Sequence, residues 1–461
     1  MELVIDLHLH SRFSRAVSQK MTLPNMFFWG RKKGLNLLSV SDFTHPIWLR
    51  EAKAQLVEVN SGIYKLKNEK ELIPDLPYST QKEDLTTYFM LSTEVSSIYS
   101  EGGQVRRIHN LILAPSFEVV DKINKAFLAR GFNLSSDGRP ILGISSQNLM
   151  ELLLSIDNKI ALIPCHIWTP WFSLYGSKSG YDRIEDCFGK YAKRIFAVET
   201  GLSSDPTMNW RVNELADRSV VSFSDAHSMQ KMGREATILT TIDGNDIAEK
   251  NITYDNIMNS MVRGRERIFK IDYTIEFYPE EGKYHYTGHR NCNIVQTPTE
   301  TKKNGEICPV CGQGLTVGVM HRVEELANTP DKNYVEEKDK SGVIWMKDKN
   351  LKRPHFVNLV PLLEVLSEAL GKGTGTQTVE SMYDKLLTDL GTEHEILLRK
   401  DLSEIASIGG ERVAEAVQKV RSRNIHIVPG YDNTYGIVEI WDKETKKAEA
   451  KVEKSQMGLE F

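Results

Sequence analysis

Two short patterns carry metal-ligating side chains in pairs: His8-x-His10 in DLHLH and Asp225-x-His227 in SDAH. On an extended strand, residues two apart face the same side, so each pair aims two donors at one point. Paired imidazoles at a strand end can hold one divalent ion. Between these patterns lie Asp42 and His45 in SVSDFTHP, Glu94 in MLSTEVS, His109 in RRIHNLIL and His166 in ALIPCHIW. Six of the 12 histidines and three carboxylates thus sit at or beside the ends of short apolar runs. A lone histidine there usually caps a strand, but two paired patterns flanking further single donors point to a metal cluster. Two ions about 3.5–4 Å apart can lower the pKa of a shared water and stabilise charge on a phosphate. Glu94 is the natural bridge, because a carboxylate can span two ions and an imidazole nitrogen cannot. Mixed nitrogen and oxygen donors suit Zn, Mn or Fe better than an oxygen-only Mg site, though Mg²⁺ is also compatible.

A second donor set follows: His289-x2-Cys292, then, 15 residues on, Cys308-x2-Cys311. Two such pairs read as one structural Zn site with all four positions filled by protein. Three of the five cysteines fall within these 20 residues. His285 competes as fourth ligand at a poorer spacing. Cys165 and Cys187 stand alone and read as core residues.

The elements that must position these groups follow from hydrophobic patterning. Apolar runs at Glu2–Leu7, Leu37–Ser41, Tyr88–Glu94, Asn110–Ala114, Ile160–Pro164, Arg194–Glu199 and Ser219–Ser224 predict strands. They alternate with amphipathic stretches such as Phe117–Arg130 and Ser146–Ile156, which predicts an α/β fold with a mostly parallel sheet, open or closed. Residues 1–278 form this first domain, and 279–326 a small zinc-binding module. Residues 327–430 form a helical region that begins with a charged linker, Thr329–Lys352, containing a short apolar strand, and 431–461 a C-terminal strand and tail. Lys+Arg 58 against Asp+Glu 62 gives a net charge of −4, which excludes polyanion binding by bulk charge and leaves only a local basic groove. MELVIDLHLH places acids and histidines where an export signal needs an apolar run, so a cytoplasmic protein without membrane contact is expected.

Three further segments have binding chemistry. Trp168, Trp171, Phe172 and Ser173 crowd the loop after His166, with Lys178 in GSKSG. They can receive an unstacked base or simply pad the rim. Leu402–Val413, with Gly409, Gly410 and Arg412, resembles a helix-hairpin-helix clamp for a DNA backbone, with Ser407 at its usual first glycine; a plain helical turn is the alternative. Gly371–Thr378 is glycine-rich but lacks the spacing of an NTP-binding loop. The tail QMGLEF, with Gln456, Leu459 and Phe461, resembles the peptide with which bacterial proteins dock into the replication sliding clamp.

The ordered ligand set resembles the PHP (polymerase and histidinol phosphatase) domain, whose motifs open with H-x-H and close with D-x-H. That resemblance implies a distorted (β/α)7 barrel holding two or three divalent ions for phosphoester hydrolysis. His8, His10, Glu94 and Asp225 would serve one ion, and Glu94, His109 and His166 the second. His227 with Asp42 or His45 would serve a third. The sequence departs from the pattern where Arg15 replaces a common His or Asp, and where Asp42 is followed by Phe43-Thr44-His45 rather than directly by His. In module order, and in DLHLHSRFS, PCHIWTPWFSLYGSKSG, SDAH and CPVCG, the chain resembles the endonuclease Q family. The resemblance implies a nucleoid-associated DNA-repair nuclease that cuts 5′ of uracil, hypoxanthine, xanthine and abasic sites. A PHP phosphatase for a small ester and a non-catalytic DNA-binding scaffold are the alternatives.

Overall fold

The computed structural model describes residues 2–82, 86–265, 267–330 and 332–442. Gln456, Leu459 and Phe461 of the clamp-like peptide lie outside the described residues. The strands in chain order are β1 (Leu3–Asp6), β2 (Leu37–Ser39), β3 (Leu56–Asn60), β4 (Ile63–Leu66), β5 (Tyr88–Glu101), β6 (Gln104–Ala114), β7 (Ile141–Leu142) and β8 (Ala161–Pro164). Then follow β9 (Ala197–Glu199), β10 (Ser219–Val221), β11 (Ala236–Thr241), β12 (Phe269–Glu276), β13 (Thr287–His289), β14 (Ile294–Gln296), β15 (Tyr334–Lys338), β16 (Ile344–Asp348) and β17 (His355–Asn358).

One large, irregular 13-stranded sheet runs β15-β16-β17-β12-β11-β1-β2-β5-β4-β3, with β6, β7 and β8 attached around β5. β9 and β10 form a separate parallel pair. Strand faces sort their side chains by period two. Leu3, Ile5, Leu37, Tyr88, Met90, Leu111, Leu113 and Ile163 gather in one apolar cluster. Their neighbours Val4, Leu38, Phe89, Leu91, Ile112 and Leu162 point to the other, which also takes in the helices. Both faces of these strands are therefore buried, which is why they read as continuous apolar runs.

The sheet is not mostly parallel. β1 pairs parallel with β2 but antiparallel with β11, and β5, β6 and β8 are joined antiparallel. The reason is local. β5 and β6 are longer than their apolar runs suggest and form one hairpin closed by Gly102 and Gly103, both at positive φ. The expected linker is likewise structured. β15 and β16 form a hairpin, and β17 joins them to β12, extending the first domain's sheet.

The C-terminal helices, Leu362–Ala369, Gln377–Leu390, Glu393–Leu398, Leu402–Gly409 and Glu411–Arg421, pack on the sheet domain. Lys33 Nζ donates to Glu393 Oε2 at 2.9 Å, with both groups buried. Tyr383 OH and Leu362 N also donate to Glu393, at 2.8 and 3.1 Å. His394 Nε2 donates to Gly233 O at 3.1 Å. Among the described residues, no helix is long and apolar enough to cross a membrane.

Candidate metal centre

The cluster forms where several strands end. His8 and His10 follow β1, and both are fully buried. Leu9 between them bridges to Ala226 in parallel, which brings Asp225 and His227 alongside. Glu94 lies mid-way along β5, and His109 lies on β6 opposite Ser96. Asp42, His166 and Asp225 all adopt positive φ, at 40°, 30° and 47°. Such backbone is unfavourable for non-glycine residues and persists only where the surroundings enforce it. Here it turns side chains at strand ends back into one cavity. Gly201 packs against His166: a Cβ on Gly201 would lie 2.2 Å from that of His166.

The donor groups that result, each with its ligand atoms within 4.8 Å of one another, include His8, His10 and Glu94; Glu94, His109 and His166; and His10, Asp225 and His227. Glu94 Oε1 lies 2.5 Å from His109 Nδ1 and 3.3 Å from His166 Nε2, while its Oε2 lies 3.5 Å from His10 Nε2. Glu94 is thus common to two groups, and His10 to two.

The rings are oriented from behind. His8 Nδ1 donates to Glu199 Oε1 at 2.8 Å. Its Nε2 is buried without a hydrogen-bond partner, 3.8 Å from Glu94 Oε2 and 3.7 Å from Asp225 Oδ1. His10 Nδ1 donates to Asp42 at 3.2 Å, leaving Nε2 to face Asp225 at 2.9 Å. His166 Nδ1 donates to Ser173 Oγ at 3.2 Å. A histidine whose outer nitrogen is tied to a carboxylate or hydroxyl, with a bare inner nitrogen, is set up as a metal ligand. The orphaned Nε2 of His8 among carboxylate oxygens fits a cation there.

Charge follows the same logic. Burial opposes the ionised form of Asp225, but His8 and His10 outweigh it and hold its carboxyl well below the usual range. Burial likewise opposes ionised Glu94, and His109 and Arg139 hold it well below. Both carboxylates are therefore available as anionic donors. Burial pushes the Cys165 thiol well up, aided by Glu199, so this neighbour of His8 remains a protonated core thiol.

Several expected roles change. Asp42 accepts from His10, from Ser11 N at 2.6 Å and from Ser14 Oγ at 2.9 Å, so it orients a ligand rather than acting as one. His45 is engaged locally. Its Nδ1 accepts from Trp48 N at 3.5 Å, and its ring stacks on Phe13. Trp168 is fully buried, its indole donating to Asn209 Oδ1 at 2.8 Å, and cannot receive a base. Ser173 is buried behind His166 rather than facing a substrate. Trp171 and Phe172 remain at the rim. Phe172 packs against His109 with ring centres 4.8 Å apart, and Trp171 against Tyr284 at 5.5 Å. Trp171 also borders an open groove of about 860 Å³ with Arg107 and exposed Lys178.

Sequence reasoning missed Glu199 and Arg139. Glu199 ends β9, so its position at a strand end was a usable signal. Arg139 Nη1 reaches Glu94 Oε2 at 3.1 Å from an irregular loop that no pattern marks.

In the small module, ligand atoms of His289, Cys292, Cys308 and Cys311 converge within 4.8 Å. His285 is buried and its Nδ1 donates to Pro279 O at 3.1 Å, which removes it as a competitor. Residues Tyr431–Asp432 pack back on this module, Asp432 accepting from Arg290 N at 2.7 Å. Gly410, at φ 87°, joins the last two helices; its N–H donates to Ala406 O at 2.8 Å. Gly409 packs on Val413, and the Arg412 guanidinium lies 3.5 Å from the Trp441 ring centre.

Residues 361–424 match a family model described as the MJ0043 C-terminal domain. An uncharacterised protein of Methanocaldococcus jannaschii, MJ0043, is 33% identical over 271 residues, 58% of this chain. The chain spans only 31% of that relative's length. The uncharacterised Bacillus subtilis protein YqxK is 27% identical over 451 residues, covering 94% of this chain and 98% of its own. Among solved structures, the lesion-specific endonuclease PfuEndoQ from Pyrococcus furiosus matches with a TM-score of 0.75 and 28% identity over 97% of each chain. A complex of endonuclease Q with a 27-mer duplex substrate, with an abasic lesion at the active site, matches at 0.75 and 29%, covering 96% of this chain and 98% of that one. Both of these endonuclease Q structures match this chain over nearly its full length, and the chain is a structural homologue of that lesion-specific endonuclease.

Proposed function

We propose that this protein is a metal-dependent endonuclease acting on damaged DNA. It cuts the phosphodiester 5′ of uracil, hypoxanthine, xanthine and abasic sites. The observation that carries this reading is the buried histidine–carboxylate cluster within an architecture matched throughout by a lesion-specific endonuclease. Its sheet domain, residues 1–278, is a distorted PHP-type barrel. The module 279–326 is closed by one structural Zn on His289, Cys292, Cys308 and Cys311. The region 327–430 contributes backbone contacts through Gly409, Gly410 and Arg412, and 431–461 carries the peptide for the sliding clamp.

Two or three divalent ions, Zn, Mn or Mg, supply Lewis acidity and a nucleophilic water when bound at this cluster. The chain's own residues prepare the site. Glu94 would be shared between two ions, with His109 and His166 as further donors to one and His8, His10 and Asp225 to the other. His227, with His10 and Asp225, would hold a third. Glu199, Asp42 and Ser173 hold the rings so that the inner nitrogen faces the cluster. Trp171 and Phe172 flank the cleft where an extruded base can stack. Extrusion costs less at a weakened pair than at a normal one, which favours lesions.

The test is incubation with Mn²⁺ or Mg²⁺ and matched duplexes with and without one deoxyuridine, deoxyinosine or abasic site. A 5′-side nick confined to the lesion strand is the expected result, and chelator abolishes it. Hydrolysis of a small phosphomonoester without nicking makes the protein a phosphatase instead. Binding without turnover makes it a scaffold.

A further inference from the structure

Among the described residues, Arg139 is the lysine or arginine whose ion pair reaches the metal-ligand carboxylates. Its surroundings fix it there with unusual care. Gly138 N donates to Phe13 O at 3.0 Å, and Thr44 Oγ1 donates to Gly138 O at 3.1 Å. A Cβ on Gly138 would lie 2.5 Å from both Asp42 Oδ2 and Ser14 Oγ, so only glycine lets the loop come this close. Asp137 Oδ1 accepts from Arg139 N at 3.0 Å and from Arg15 N at 3.3 Å, tying this loop to the one after His10. On the far side, Ser96 N donates to Pro140 O at 3.0 Å.

Glu94 is the acid that pairs with the guanidinium, and the carboxylates of Asp225 and Asp137 also act on its charge. Arg139 also lines a groove of about 580 Å³ together with Arg12, Arg15, Gln19 and Asn133. Arg12 is paired with Glu51 at 2.7 Å. Arg15 is exposed, and its guanidinium makes no ion pair among the described residues. Three arginines line the groove against the one carboxylate of Asp137, so it carries net positive charge, and Arg139 joins it to Glu94 of the cluster.

We propose that Arg139 and Arg15 form a phosphate subsite of this centre, with Arg139 gripping a non-bridging oxygen of the scissile phosphate and Arg15 the adjoining backbone phosphate. A carboxylate that shares its charge with metal ions is a weaker partner for a guanidinium, which frees Arg139's remaining donors for an anion entering the groove. Arginine's planar fork suits phosphate oxygens and stays charged at any working pH. Arg15, where the PHP pattern often has a metal ligand, gives this edge of the cluster an anion-binding group in place of a metal-binding one. No bond is made or broken by either residue.

The proposal rests on the phosphodiesterase reading, and the experiment separates the two. The full chain, loaded with Mn²⁺, is compared with its Arg139→Ala, Arg139→Lys and Arg15→Ala variants. Cleavage of an abasic-site duplex and of bis(p-nitrophenyl) phosphate is measured, with bound Mn and the calorimetric affinity for inorganic phosphate. Arg139→Ala is expected to lower kcat on both substrates about 10²–10³-fold, as loss of one preorganised donor does. It should weaken inorganic phosphate about tenfold while bound Mn stays unchanged. Arg139→Lys should recover part of both, which also guards against a folding defect in the alanine variant. Arg15→Ala should raise KM for the duplex and spare the small diester. The proposal is overturned if Arg139→Ala keeps kcat within about twofold, if phosphate affinity does not change, or if Mn is lost in step with activity, since Arg139 then merely holds Glu94. If the wild type spares every lesion duplex but hydrolyses the small diester, the DNA reading fails, and Arg139 is judged on the diester and phosphate affinity alone.

Discussion

At the scale of single residues, the site is a matter of which histidine nitrogen is left bare. Glu199 fixes His8 and Asp42 fixes His10, each from the side away from the cluster. Glu199→Gln should weaken metal binding about 10–100-fold with the ligand set intact, read by metal titration. Asp225→Ala removes the carboxylate that faces His8 and His10, and should lower cleavage of a lesion duplex by more than about 10³-fold while DNA affinity, measured by anisotropy, is kept. Retained cleavage refutes that assignment. The primary donors were legible in the sequence because His8/His10 and Asp225/His227 repeat a strand's period of two. Asp42 and His45 are expected from spacing as ligands, and the structure engages both with other partners. Spacing tells which residues approach a site, but not which is consumed by Ser11, Ser14 or Trp48 on arrival. Trp168 and Trp171 stand three residues apart in one loop, yet one is core and the other rim, and only packing separates them.

At the scale of elements, two attachments govern behaviour. The zinc-type knuckle presents Tyr284 to Trp171, so it buttresses the loop that follows His166. Cys308→Ser should lose one equivalent of Zn by elemental analysis and open 279–326 to protease, because a knuckle of this size has little apolar core of its own. The last helices are attached through the buried pair Lys33–Glu393. Lys33→Met leaves Glu393 buried without its counter-charge and should cost about 3–5 kcal/mol, measured by denaturant unfolding. Replacing both members with apolar residues should recover much of that. The helices themselves were readable from spacing: Ser146–Ile156 matches its expected bounds. The edge strand β15 was not, because its largely exposed, charged side chains leave no apolar run to read.

At the scale of the molecule, one sheet integrates the parts. β12 pairs with β11 on one side and with β17 on the other, so the chain beyond the zinc module returns to the first domain. At the end of β12, Glu276 is wholly buried, and burial pushes its pKa up to about 8 despite hydroxyl donors from Ser222 and Thr274. Glu235 nearby is raised by burial and by Glu276. The folded protein thus holds a proton that the unfolded chain releases above 4.5. Its contribution is fully present below that pH and is lost as pH rises towards 8, at about 1.4 kcal/mol per pH unit while only the folded state holds the proton. Glu276→Gln should flatten the fall in Tm between about pH 5 and about pH 8, measured by calorimetry; an unchanged slope places the titration elsewhere. By itself, the sequence determined the chemistry: the donor types, their order along the chain and the cysteine knuckle are composition and spacing, which do not depend on packing. The tertiary structure alone decided roles. Whether a carboxylate ligates or orients, whether an aromatic is core or rim, and that Arg139 reaches Glu94 depend on contacts between residues tens of positions apart, set by strand register and positive-φ turns that no local pattern encodes.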